Sequence, residues 1–136
     1  MIESAEEFVR LRESDWPEDY RRAAHEEAPL EIWLKVIEDY PQMRFWVAQN
    51  KTVPLRILEI LARDPDPHVR GMVASKRKLT PEIQLILADD PDDGVRDRLA
   101  NNAKATRQAL EKVAAGERGP ASRSARRRLA NDTPSG

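Results

Sequence analysis

The sequence predicts an all-α fold: a right-handed α-solenoid of about five short helical pairs, with some helices partly 3₁₀. Three observations predict it. The first is an internal repeat. Pro65 recurs as Pro91, Val69-Arg70 as Val95-Arg96, Val73-Ala74 as Leu99-Ala100 and Leu61-Ala62 as Leu87-Ala88, each 26 residues later. A fixed period in this range marks stacked supersecondary units, none of which buries its apolar face alone. The second is punctuation, because Ser, Thr or Pro stands before apolar stripes of one to three helical turns. The third is composition, with charged residues at 35% against a hydrophobic set of 40% over 136 residues. A thin stack of short helices has a narrow core and needs that much polar surface.

Taken in order, Ser4-Ala-Glu-Glu7 has capping-box spacing and opens a first helix through Phe8, Val9 and Leu11 to about Glu13. Pro17 begins a second, preceded by Asp15 or Trp16 and helped by Glu18 and Asp19 against the helix dipole. Pro29 opens a third over Leu30–Glu38, with Ile32, Trp33, Val36 and Ile37 on its buried side. From Tyr40 the repeat is legible as a Pro/Asp turn, a short helix with Arg-x-x-(Val/Leu)-Ala, a polar break and a second helix. The first-helix core appears at Arg44–Ala48, Arg70–Ala74, Arg96–Ala100 and Arg126–Ala130, with a degenerate copy at Tyr20–Ala24. Second helices are predicted over Pro54–Ala62, Pro81–Ala88 and Arg107–Ala115, with Thr80 and Thr106 as N-caps. Gly116–Pro120 stretches the last spacing from 26 to 30. The expected organisation is therefore one domain over 1–131. Residues 1–39 form a cap with degenerate repeats, 40–115 the regular repeats and 116–131 a terminal capping repeat. Residues 132–136 are expected to be a disordered tail.

Composition removes several classes of function. There is no cysteine, which excludes disulfides, thiolate metal sites and thiol nucleophiles and fits a reducing cytoplasm. No run approaches the roughly 18 apolar residues that span a membrane, and the acidic, amphipathic MIESAEEFVRLRE start does not read as a secretory signal. Arginine outnumbers lysine 17 to 6, a bias expected of a high-GC bacterial genome. The net charge of −1 conceals an asymmetry: residues 1–68 carry 15 acidic and 9 basic side chains, residues 69–136 carry 9 and 14. All seven aromatics lie within the first 46 residues.

Two short helices per 26 residues, carrying DPDP-x-VR, then VA, then TPE and LA, resemble the leucine-rich repeat variant family and the broader HEAT-like and armadillo-like α-solenoids. The resemblance covers about residues 40–115. It implies an interaction scaffold with one short or 3₁₀-like helix per unit. The iron–sulfur module of that family's founding member needs cysteines, and this chain has none.

The arginine column Arg44, Arg70, Arg96 and Arg126 reads first as a structural ladder. Asp66–Arg70 and Asp92–Arg96 have the i,i+4 spacing of helical acid–base pairs. Lys76, Arg77 and Lys78 sit in a break between helices and, with Arg123, Arg126, Arg127 and Arg128, are candidates for anion or nucleic-acid contact. No aromatic is interleaved among them for base stacking. Trp16, Trp33 and Trp46, with Glu38 and Asp39, are the candidate protein-binding residues of the acidic, aromatic half. Trp33 shares a stripe with Val36 and Ile37, which argues for core.

Catalysis has little to stand on. His25 and His68 lack metal-ligand spacing, the latter falling in the Pro67-His-Val turn, and there is no HExxH, phosphate loop or nucleophile elbow. Neither a catalytic, cofactor nor metal residue is therefore expected. The function expected is a non-enzymatic scaffold binding an as yet unidentified protein, monomeric or self-associating in a salt-sensitive way. The alternative is nucleic-acid binding by the basic half, with a DNA glycosylase-like activity more remote.

Overall fold

The computed structural model describes residues 1–131, so the tail expected at 132–136 lies outside the described residues. All regular structure among them is helical. The order is α1 (Ala5–Glu13), α2 (Pro17–His25), α3 (Leu30–Asp39), a 3₁₀ turn (Pro41–Met43), α4 (Arg44–Gln49), α5 (Leu55–Leu61), α6 (Pro67–Ala74), α7 (Pro81–Ala88), α8 (Asp93–Ala100), α9 (Arg107–Ala115) and α10 (Pro120–Asn131). None of these helices is long and apolar enough to cross a membrane. Where one continuous domain is expected from sequence, the chain clusters into two compact units, Met1–Leu61 and Ala62 onward.

In the first unit, α1 packs on α2 and α3, and α3 on α4 and α5. Ser4 Oγ accepts the Glu7 N–H at 3.0 Å, and Glu7 reaches back to the N–H of Glu3, one residue earlier than a capping box requires. Phe8, Leu11, Trp33 and Val36 are fully buried, with the Phe8 ring edge-on to Trp33 at 5.2 Å between centroids. That geometry aims the positive ring edge at the partner's π face. The Trp33 indole N–H is buried without a hydrogen-bond partner among the described residues. Ile2 is drawn into this core, and its N–H donates to Glu27 O at 2.8 Å.

The second unit places α6 against α8, α8 against α10 and α7 against α9, with α10 also on α9. Asp66 caps α6 through the His68 N–H and Asp92 caps α8 through the Val95 N–H. Thr80 and Thr106 cap α7 and α9 through the N–H three residues on, at 3.2 and 3.1 Å. These caps satisfy N–H groups that a helix's first turn leaves open. His68 accordingly lies in the first turn of α6 rather than in a turn outside it.

Two sets of polar side chains tie successive helices together, and both recur with the repeat. One is the arginine column. Arg44 donates to Ile37 O, Arg70 to Asp64 O and Arg96 to Asp90 O, each reaching the carbonyl end that precedes its own helix. Asp64 O and Asp90 O lie in the turns beyond α5 and α7, whereas Ile37 O is an orphan carbonyl of the last turn of α3, where a cation also meets the negative end of the helix dipole. Arg126 does the same to Ala114 O across the longer Gly116–Gly119 connection. The second set is asparagine-based and was not read from the sequence. Asn50 donates to Ala23 O and Glu26 O, while Asn102, 52 residues on, donates to Ala74 O and Lys76 O. Each amide oxygen then accepts the N–H two residues ahead. Arg128, 26 residues after Asn102, takes the corresponding place by donating to Ala100 O and Asn102 O.

The i,i+4 acid–base pairs expected at Asp66–Arg70 and Asp92–Arg96 give way to this pattern. Asp66 and Asp92 accept backbone N–H groups at the helix starts. Arg70 instead grips Asp90, 20 residues on, and Arg96 reaches Asp93 at 3.0 Å. A carboxylate at an N-cap is already held by nearby amides, so it competes poorly as a side-chain partner.

Candidate partner-binding surface

Trp16 sits at the N-cap of α2, outside every apolar stripe, and keeps 66% of its surface exposed. Ser14 fixes the approach to it. The Ser14 hydroxyl accepts the Trp16 N–H at 3.1 Å and donates to Asp19 Oδ2 at 2.6 Å, fastening the α1–α2 turn to the first turn of α2. The result is an open groove of about 550 Å³, lined by Glu6, Val9, Arg10 and Glu13 of α1 with Ser14, Trp16, Asp19 and Tyr40. Tyr40 donates to Glu6 Oε2 at 3.3 Å. Partial burial, then the Glu6 charge, raise its phenol above the ordinary tyrosine value, so the hydroxyl stays protonated. Three carboxylates against one guanidinium leave the groove negative, with aromatic walls at Trp16 and Tyr40.

Beyond it lies a stack. The Arg12 guanidinium stands 3.5 Å from the Trp46 ring centroid and 5.0 Å from that of Tyr20, so its charge is held between two π faces. Tyr20 is one helical turn after Trp16 and is itself exposed. Trp46 is half-buried and edge-on to Phe45 at 4.8 Å.

The candidate protein-binding residues therefore separate. Trp16 lines the groove and Trp46 the stack. Trp33 is fully buried against Phe8 and has no surface to offer a partner, because its helix stripe turns it inward. Glu38 and Asp39 are exposed in the last turn of α3, next to Tyr40. Arg12 and Tyr20 were missed as members of a site. The available signal was their spacing from Trp16, four residues either side.

The candidate anion-contact residues of the second unit do not form one ridge. Arg126 and Arg128 are turned to the carbonyl ends of α9 and α8, respectively. Arg123 and Arg127 are exposed on α10. Arg77 joins Arg98 in an open groove of about 480 Å³ that also holds Asp97 and Asn101. Lys76 is half-buried, and partial burial draws the Lys78 ammonium below the ordinary lysine value. No group of three or more His, Asp or Glu side chains among the described residues is placed to hold a metal ion.

No protein-family model matches the chain, and neither a curated protein nor a solved structure is significantly similar to it.

Proposed function

We propose that the chain is a non-enzymatic protein-interaction module, a right-handed α-solenoid of the HEAT-like or leucine-rich repeat variant type. Support for the repeat architecture comes from the arginine bonds of Arg70 and Arg96, 26 residues apart, and the asparagine bonds of Asn50 and Asn102, 52 apart. The observation that carries the function is Trp16: a large aromatic, two-thirds exposed, beside a preformed negative groove. Tryptophan is costly to leave in water and is enriched where interfaces concentrate their binding energy. A rigid helical surface orders little on binding, so more of that energy appears as affinity. The partner surface that fits is basic, because Glu6, Glu13 and Asp19 outnumber Arg10.

The test is a titration of the tetrapeptide Ac-Lys-Lys-Lys-Lys-NH2 followed by indole resonances. Saturable shifts at Trp16 in the wild type, with peptide affinity measured by calorimetry lost in Trp16→Ala, support the groove. Shifts that spread over the surface without saturating sink it. Nucleic-acid binding is the weaker reading, because Arg126 and Arg128 are engaged within the fold.

A further inference from the structure

Arg12 is the odd residue of this surface. Its unit holds 13 carboxylate side chains and 8 basic ones over residues 1–61, yet among the described residues no carboxylate pairs with Arg12. Its Nε is buried and has no hydrogen-bond partner among the described residues. Neither terminal nitrogen has a hydrogen-bond or ion-pair partner among the described residues. The guanidinium thus lies over the rings of Tyr20 and Trp46, with its Nη1–Nη2 fork unclaimed by any described residue. A guanidinium presents its donors in a rigid fork that matches both oxygens of a carboxylate. Holding that fork between two rings removes the rotamer cost of aiming it.

We infer that Arg12 is a binding site for a single carboxylate of the protein partner, taken end-on by Nη1 and Nη2. This rests on reading the first unit as the partner-binding surface, and it adds an acidic group to the basic partner inferred from the groove. The partner segment therefore carries both signs, a cation for Glu6, Glu13 and Asp19 and a carboxylate for Arg12. A protein carboxylate fits better than nucleic acid. A unit of net charge −5 over residues 1–61 repels a polyanion, whereas one carboxylate with an adjacent cation adds no net charge.

The experiment uses the full chain and two matched probes, Ac-Lys-Gly-Gly-Glu-NH2 and Ac-Lys-Gly-Gly-Gln-NH2, with inorganic phosphate as a third. Binding is followed by the Arg12 side-chain and Trp46 indole resonances. The Glu peptide is expected to bind about tenfold more tightly than the Gln peptide, the scale of one charge-assisted fork. The preference should shrink in Arg12→Lys, which keeps the charge without the fork, and disappear in Arg12→Met, which keeps the stem between the rings. Equal affinity for the two peptides overturns the inference, as does a Glu preference that survives in Arg12→Met. Phosphate shifting these resonances more than the Glu peptide also overturns it. If the peptides bind equally but still need Trp16, the Arg12 site falls and the groove stands. If neither binds, both fall.

Discussion

The Arg70 guanidinium spans both carboxylate oxygens of Asp90, with Nε to Oδ2 at 2.7 Å and Nη2 to Oδ1 at 3.1 Å. The side chains are 13% and 4% exposed, respectively. Asp90 also accepts the Asp92 N–H at 2.9 Å, while Arg70 donates to Asp64 O at 2.7 Å. One bidentate pair thereby joins the turn before α6 to the turn before α8. The Asp90 hydrogen bond, then its charge, raise the Arg70 pKa further above its already high value.

Removing one partner from a buried, fully bonded pair strands the other charge. Arg70→Met is therefore expected to cost about 3–5 kcal/mol, well beyond an exposed pair. A double-mutant cycle with Asp90→Leu, read by urea unfolding, should show coupling above about 1 kcal/mol. Additive losses would mean that the pair contributes no more than a surface contact.

Much of this framework was legible from the sequence, for reasons specific to each part. Pro17 and Pro81 fixed helix starts because proline is accepted in the first turn and rejected later. Thr80 and Thr106 marked caps because their hydroxyls have one local use there. What was not legible is the set of bonds from side chains to distant carbonyls. Asn102 answers to the main chain at Ala74 and Lys76, and a carbonyl leaves no residue-type signature. The arginine column was visible, but its partners were not. Spacing pairs Asp66 with Arg70, whereas the cap at His68 N claims it. Trp16 and Trp33 look alike in composition, and only a place outside or inside an apolar stripe separates them.

Asn102 tests the second set of ties. It is buried, with its amide donating at 2.8 and 2.7 Å and accepting at 2.8 Å. Asn102→Ala is expected to cost about 1–3 kcal/mol for the carbonyls and N–H left unpaired. Asn102→Asp should cost more, because it sets a carboxylate against two carbonyl oxygens. The order of urea midpoints, wild type above Ala above Asp, checks this.

Two of the three tryptophans of the first unit, Trp33 and Trp16, should behave oppositely. Trp33→Ala empties a fully buried site beside Phe8 and is expected to cost about 3–5 kcal/mol. Trp33→Phe should cost much less, since it also removes an indole N–H that has no partner. Trp16→Ala should leave the melting temperature within experimental scatter, because its ring is already in water.

Asp66 supplies a pH dependence. The His68 N–H bond, foremost among the causes, lowers its pKa below the ordinary 3.8. A carboxyl depressed on folding adds stability that is complete above its unfolded value and is lost as pH falls through its folded value. Melting temperature should therefore drop on acidification below about pH 4, and by less in Asp66→Asn, which keeps a capping oxygen without the titration. An equal drop in the variant would assign the effect to other groups.

A protein partner held at the α1–α2 surface should be recovered by quantitative capture from the source cell's lysate with nuclease present. Wild type, Trp16→Ala and Arg77→Ala are compared side by side. One partner is expected to be retained by wild type and Arg77→Ala and lost by Trp16→Ala, with all three proteins equally helical. A partner kept by Trp16→Ala, or one that nuclease removes, would contradict this expectation.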